Sequence, residues 1–133
     1  MDTGSEKFKK SERLCSQKTI ASLVDEGDFF FTPLFKVLWM KSPAQLSFPA
    51  QVAFSVPKKG FRSAVTRNLL KRRMREAYRK NKYLFYDQLQ HTGICIVFII
   101  SFRRNSVAAY IEIEKAMIET IERLASAASK SYK

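Results

Sequence analysis

Residues 56–79 read VPKKGFRSAVTRNLLKRRMREAYR, in which basic residues recur at helical spacing. Four of them follow one another at every fourth position and form one ridge on a helix of about 3.6 residues per turn, the basic ridge: Arg67, Lys71, Arg75 and Arg79. Asn68 and Arg72 flank this ridge. The opposite side carries Leu70, Met74, Ala77 and Tyr78. The stretch therefore predicts an amphipathic helix with one face for a core and one for a polyanion.

The same stretch marks where this helix begins and where a strand ends. Ser63 is a suitable N-cap, and nothing interrupts the helical pattern up to about Asn81. Upstream, residues 50–56 alternate apolar and polar side chains, which predicts a strand that ends at Pro57. The loop between strand and helix carries three more cations that extend the basic surface: Lys58, Lys59 and Arg62.

Two further strands are predicted on either side of this unit. Residues 34–40 are rich in strand-forming side chains and lie between Pro33 and Pro43. Residues 94–100 are apolar without interruption, which is typical of a strand covered on both faces. Any fourth strand is expected from the loop between residues 41 and 49.

Helices are predicted before and after the strands. A short first helix ends at Gly27, which we expect to adopt the left-handed conformation, and Ser106 is expected to cap a long last helix. Residues 1–12 and 126–133 are expected to be loose. The order α-β-β-(β)-α-β-α predicts a single α+β domain over residues 1–133, with a three- to four-stranded sheet packed by helices.

The charge of the chain points to nucleic acid as its partner. The 133 residues include 24 Lys and Arg but 12 Asp and Glu, which gives a formal net charge of +12. Such an excess concentrates polyanions around a small protein and speeds their association. The plainer alternative is a solubilising surface, but interleaved charges of both signs usually serve that purpose.

Composition also bears on location. No stretch approaches the roughly 18 to 20 apolar residues that span a bilayer, and residues 1–10 are polar and charged, with no apolar signal core. Cys15 and Cys95 show neither metal-ligand spacing nor a disulfide framework. These features favour a cytoplasmic protein with no membrane partner.

The sequence holds no pattern for catalysis by the protein itself. His91 is the single histidine, and we expect it in a turn before the strand at 94–100. No Cys/His or carboxylate cluster has ligand spacing, and no Gly-rich phosphate loop is present. We therefore expect no catalytic residue, no metal site and no dinucleotide cofactor in the protein.

The central stretch resembles the signature of the bacterial ribonuclease P protein family. The matching residues are Phe54-Ser55-Val56, Lys58-Lys59, Ala64-Val65, Arg67-Asn68, Lys71-Arg72 and Arg75-Glu76. A weaker N-terminal match comprises Arg13-Leu14, Ile20, Leu23-Val24 and Gly27. The chain departs from the family pattern at Leu69, where arginine is usual, and at Ile20 and Val24, where aromatic residues are common.

This resemblance implies a subunit of a ribonucleoprotein endonuclease. In that family a catalytic RNA with RNA-bound magnesium removes the 5′ leader of precursor tRNA, and the protein contacts both that RNA and the leader. The implied fold joins parallel strands through the basic helix by a left-handed crossover, although right-handed crossovers are the rule. The residues predicted to bind RNA are Lys58, Lys59, Arg62, Arg67, Asn68, Lys71, Arg72, Arg75 and Arg79.

A cleft for a single-stranded leader needs a surface for base stacking, with cations at its rim. The predicted cleft residues are Phe8, Phe35, Val37, Trp39 and Ser55. Two alternatives stay open, since Trp39 can be a core aromatic and Phe8 can simply pin the N-terminal segment.

The alternative function is a ribosomal or other structural RNA-binding protein, which would use the same basic helix without a role in cleavage.

Overall fold

A four-stranded sheet organises residues 7–132, the part of the chain that the computed structural model describes. Its strands are β1 (Asp28–Phe31), β2 (Phe35–Lys41), β3 (Ala50–Ser55) and β4 (Ile96–Phe102). The helices are α1 (Gln17–Glu26), α2 (Ala64–Thr92) and α3 (Tyr110–Tyr132), and a 3-10 turn spans Lys10–Glu12. The strands lie in the order β1-β2-β4-β3.

Strand β4 lies inside the sheet, as its continuous apolar sequence predicts. It pairs antiparallel with β2 and parallel with β3, while β1 pairs antiparallel with β2. Because parallel neighbours cannot be joined by a tight turn, β3 and β4 need a crossover, and α2 provides it. The predicted α+β class and the crossover through the basic helix are confirmed, and the left-handed sense of that crossover stays a prediction.

The two faces of the sheet are covered to different extents. On one face, alternate β2 residues pack in the main core with α2 and α3: Phe35, Val37 and Trp39. On the other face, a smaller cluster joins Leu23 of α1 to Val97 of β4 and to Leu14. The short α1 leaves much of this second face open.

Helix α2 begins where the sequence predicts but continues farther. The Ser63 hydroxyl accepts a hydrogen bond from the Thr66 amide at 3.3 Å, which confirms the N-cap. The predicted apolar face is buried, and the helix runs to Thr92 instead of about Asn81 because its second half buries Phe85 and Leu89. It ends at Gly93, whose φ of 71° lies in the left-handed region that favours glycine.

A buried polar network ties the segment before α1 to the second half of α2. The Lys82 ammonium donates to the Glu12 carboxylate at 2.5 Å and to the Lys7 carbonyl. The Tyr86 hydroxyl donates to the same carboxylate at 2.7 Å and accepts from the Tyr78 hydroxyl at 3.0 Å. Burial raises the pKa of both phenols well above its usual value, so both remain proton donors at neutral pH.

Three sequence predictions about element boundaries are wrong. The fourth strand is β1, which precedes β2, and not the loop at 41–49. Gly27 is not left-handed, since its φ of −70° and ψ of 155° give an extended backbone. Glycine is needed at this position because an added Cβ would lie 2.5 Å from the Leu23 carbonyl oxygen. Helix α3 begins at Tyr110 and not after Ser106. At this observed start, the Glu112 carboxylate accepts a hydrogen bond from the Ala109 amide at 3.2 Å.

Both segments predicted to be loose contain residues that pack against the rest of the protein, within the part of the chain that the structure describes. Glu12 is fully buried, and the Ser11 carbonyl accepts a hydrogen bond from the Gln51 side chain of β3 at 3.2 Å. Residues 126–132 belong to α3, and Ala128 is fully buried in the main core. Residues 1–6 and 133, which the same prediction covers, lie outside the described part of the chain.

The buried ion pair gives a stability prediction. Lys82→Met leaves the Glu12 carboxylate buried without its cation, and breaking a buried pair from one side costs about 3–5 kcal/mol. We expect a loss of that order in the free energy of unfolding, measured by guanidinium denaturation. Glu12→Leu combined with Lys82→Met should regain part of this loss because no buried charge remains.

The matched control is Lys115→Met, which removes one exposed lysine from α3. It should leave the denaturation midpoint almost unchanged. A loss in Lys82→Met no larger than in this control would contradict the buried pair.

Candidate nucleic-acid interface

The middle of the basic ridge carries free cations. Arg75 and the flanking Arg72 are exposed, and Lys71 is half-buried beside them. Within residues 7–132, none of these three side chains forms a hydrogen bond or an ion pair with another described residue. Their charge is therefore available to an external anion.

The two ends of the ridge are already engaged within the protein. Arg67 donates to the carbonyls of Phe61 and Arg62 at 2.7 and 2.9 Å, so it braces the loop before α2. Arg79 binds the Glu76 carboxylate at 2.7 and 2.9 Å, and these hydrogen bonds hold the pKa of Glu76 below its usual value. The two ends of the ridge therefore bind other parts of the protein, and its centre is free.

The remaining predicted RNA-binding residues lie next to the ridge. Lys58, Lys59 and Arg62 are exposed on the loop between β3 and α2, and Asn68 is exposed on the first turns of α2. The nearby Arg73 belongs to a different contact, because it donates to the Ala108 carbonyl at 2.6 Å and ties α2 to the segment before α3. The structure therefore brings the loop and the ridge into one basic surface.

The second face of the sheet carries a mixed surface that we call the open sheet face. Its residues come from all four strands: Phe29, Phe31, Lys36, Leu38, Ala53, Ser55, Ile99 and Ser101. The register aligns Phe31 with Lys36, Lys36 with Ser101, and Ser101 with Ser55 in one row across the strands. This row places an aromatic ring, an ammonium and two hydroxyls side by side.

A cavity of about 590 Å³ opens at one end of that row, and we call it the basic cavity. Its walls include Phe31, Lys36 and Ser101 from the open sheet face. Lys59, Arg103 and Arg104 add positive charge from the two adjoining loops. Because Lys59 belongs to both, the basic cavity and the basic surface of α2 are continuous.

The predicted cleft floor is wrong for three of its residues. Phe35, Val37 and Trp39 point to the opposite face, where they are 0, 0 and 6% exposed, so no base can stack on them. Trp39 is the core aromatic that the sequence left open as an alternative. The reason is the register of β2, which turns these odd-numbered positions towards α2 and α3.

The two other predicted cleft residues, Ser55 and Phe8, lie in different parts of the structure. Ser55 lies on the open sheet face, half-exposed beside Ser101. Phe8 packs edge-on against Phe54 and Tyr78, each at 5.8 Å between ring centroids, so it pins the segment before α1 to the core.

Sequence reasoning missed the aromatic residues of the open sheet face. Phe29 and Phe31 are 59 and 46% exposed, although both belong to an apolar run. Lys36 lies between them, with its ammonium 5.5 and 5.9 Å from the two ring centroids. The signal was the run of three phenylalanines directly before Thr32-Pro33, which a search for alternating strands passes over.

The other chemically notable side chains are His91, Cys15 and Cys95. His91 lies in the last turn of α2, not in a separate turn, with Nδ1 2.8 Å from the Asp87 carbonyl oxygen. Cys15 and Cys95 are free thiols. Among the described residues, no group of three or more His, Cys, Asp or Glu side chains is placed to hold a metal ion. None of the helices in residues 7–132 has the length and apolar content to cross a bilayer.

A cationic ridge with a free centre, next to an aromatic and cationic sheet face, is typical of an RNA-binding α+β domain. The family model for ribonuclease P matches residues 8–125. This match covers most of the chain, and the chain belongs to the ribonuclease P protein family. It is a protein component of the endoribonuclease that processes the 5′ end of tRNA, which sets aside the alternative of a ribosomal protein.

Known relatives and structures agree with this assignment. The ribonuclease P protein component of Porphyromonas gingivalis is 34% identical over 116 residues, which cover 87% of this chain and 85% of the relative. That of Chlorobium phaeobacteroides is 39% identical over 78 residues, covering 56 and 53%. The fold matches the Staphylococcus aureus protein with a TM-score of 0.67 at 20% identity, covering 87% of this chain and 96% of that one. The Thermotoga maritima protein gives 0.64 at 19% identity, covering 84 and 96%.

The two kinds of ridge arginine should respond differently to substitution. Arg67→Met removes two charge-assisted hydrogen bonds to backbone carbonyls, so we expect it to lower the free energy of unfolding by about 1 kcal/mol or more. Arg75→Met removes a side chain with no described partner and relieves repulsion from Lys71 and Arg79, so stability should be unchanged or slightly higher. Thermal unfolding of the two variants compares them directly. Equal losses would show that Arg67 does not brace the loop.

Proposed function

We propose that the protein divides its RNA partners between two surfaces. The basic ridge, with Asn68, Arg72 and the loop cations Lys58, Lys59 and Arg62, binds the catalytic RNA of ribonuclease P. The basic cavity and the open sheet face receive the 5′ leader of precursor tRNA. The main support for this proposal is the free centre of the ridge, Lys71 and Arg75, together with the flanking Arg72, because no described residue neutralises their charge.

The ridge suits a folded RNA because its cations are fixed on a rigid helix. Adjacent like charges at i+4 repel by about 0.2–0.5 kcal/mol per pair, and phosphates placed between them would remove that cost. Arg67, at one end of the ridge, keeps the loop cations in place because its guanidinium binds the carbonyls of Phe61 and Arg62. Binding then orders few additional side chains, which limits its entropic cost.

The open sheet face suits an unpaired strand and not a duplex. Single strands are held by cations along the backbone and by flat apolar surfaces under the bases, with little sequence preference. The basic cavity supplies the cations Lys36, Lys59 and Arg103, and the half-exposed hydroxyls of Ser55 and Ser101 can bond to base or sugar oxygens. Because Lys59 lies between the two surfaces, a leader leaving the catalytic RNA can enter the cavity directly.

Magnesium is assigned to the RNA subunit. Along residues 64–80, Glu76 is the single carboxylate, and Arg79 and Lys80 already hold it at 2.7 and 3.9 Å. The basic side of α2 is therefore poorly suited to bind a divalent cation. A cytoplasmic location follows from the proposed partners.

Salt dependence tests the ridge. Lys71→Gln or Arg75→Gln should weaken binding to the cognate catalytic RNA and make the slope of log affinity against log salt shallower by roughly 0.7–0.9 for each lost phosphate contact. The matched control is Lys115→Gln, which removes the same charge from an exposed position on α3. Unchanged slopes for both ridge variants would remove the ridge from the interface.

Charge reversal tests the leader site. Lys36→Glu places a carboxylate in the wall of the basic cavity, where it would repel leader phosphates. In the reconstituted holoenzyme, we expect this variant to lose affinity for precursor tRNA while retaining affinity for tRNA without a leader. Equal losses for the two substrates would place Lys36 elsewhere in the complex, and the proposed leader site would be wrong.

A further inference from the structure

The edge strand β1 displays aromatic rings where a soluble protein would ordinarily hide them. The side chains of Phe29 and Phe31 are 59 and 46% exposed, on a strand with one free edge. Exposed apolar side chains on an edge strand favour aggregation, and natural edges usually carry charge instead. Two exposed aromatic side chains on such an edge strand therefore indicate a binding surface.

The two rings lie side by side on the open sheet face, and each keeps a large exposed area. Their centroids are 5.7 Å apart and their planes meet at 78°, so the rings contact each other edge to face and do not stack together. The Arg103 guanidinium lies 4.5 Å from the Phe31 centroid and is held there by a hydrogen bond to the Thr32 carbonyl at 2.8 Å. One face of Phe31 is thus supported by a fixed cation.

Other aromatic side chains of the described chain lack this setting. Tyr83 is also strongly exposed, at 59%, but it lies on α2 beside Leu84 and Asp87. On α1, the positions Ile20 and Val24 have no ring to offer, and Val24 is 64% exposed. Among residues 7–132, the exposed rings next to the basic cavity are therefore those of β1.

We propose that Phe29 and Phe31 form a stacking platform for unpaired bases of the leader, with Lys36 and Arg103 binding the adjoining phosphates. This inference rests on the proposed leader site and assigns its stacking role to β1. RNA is favoured over an apolar protein partner because positive charge surrounds the rings. Lys36 lies within 6 Å of both ring centroids, at 5.5 and 5.9 Å, and Arg103 and Lys59 line the same cavity.

The platform also defines a direction for the bound strand. Phe31 lines the basic cavity and Phe29 lies two residues farther along the free edge. A strand that enters at Lys59 meets Phe31 first and Phe29 second. Short leaders should therefore reach the Phe31 ring but not the Phe29 ring, and the effect of Phe29 should grow with leader length.

The test uses the reconstituted holoenzyme and two precursor tRNAs that differ in leader length, with leaderless tRNA as reference. Phe31→Leu and Phe29→Leu keep an apolar side chain but remove the ring. Each should lower affinity for the long-leader substrate roughly 5- to 150-fold, as expected from the loss of one stacked base. Affinity for leaderless tRNA should be unchanged. Phe31→Trp and Phe29→Trp should restore binding, a result that a merely structural role would not produce.

Tyr83→Leu is the matched control, because it removes an equally exposed ring from α2. It should not change the preference for a leader. If both Phe→Leu variants retain the full preference while Lys36→Glu abolishes it, the stacking platform is wrong and the leader site stands. If Lys36→Glu and the Phe→Leu variants all retain it, the leader site itself is wrong and the platform falls with it.

Discussion

The parallel pairing of β3 with β4 is the constraint on which the rest of the molecule depends. Two parallel neighbours must be connected across one face of the sheet, and 40 residues separate the end of β3 from the start of β4. Helix α2 occupies this connection, so it must bury one side against the sheet. Its other side then faces outwards by geometry, and the sequence fills it with cations. The fold thus produces a cationic surface whose position is set by the packing of α2 on the sheet.

The same pairing determines where the second RNA surface lies. Because α2 and α3 cover one face of the sheet, the other face is left to α1, which has ten residues and cannot cover four strands. The loops at the ends of β3 and β4 meet beside that uncovered area, and both carry cations. The basic ridge and the open sheet face are therefore two results of one topology, joined at the loop that carries Lys59.

Local sequence patterns were sufficient to predict the elements that depend on residues close to one another in the chain. Strands β2, β3 and β4, the Ser63 cap and the apolar side of α2 all follow from periodicity, capping and punctuation. Long-range contacts explain what was missed. The extension of α2 to Thr92 buries Phe85 and Leu89, and with them Lys82, which binds Glu12 70 residues away. A lysine in a helix pattern normally indicates an exposed face. Strand β1 escaped notice because three successive phenylalanines show no alternation, and the direction of Trp39 depends on a register that periodicity alone does not assign.

The contact between Glu12 and Lys82 also has a consequence for the order of folding. A ribosome delivers the chain from its N-terminal end, so residues 7–14 leave the exit tunnel long before Lys82 and Tyr86 are synthesised. Strand β3 likewise has to wait for β4. Contacts between distant parts of the chain slow folding because a large loop must close first. This early segment is therefore among the last to dock, and a nascent chain truncated before residue 82 should leave its Glu12 carboxylate in water.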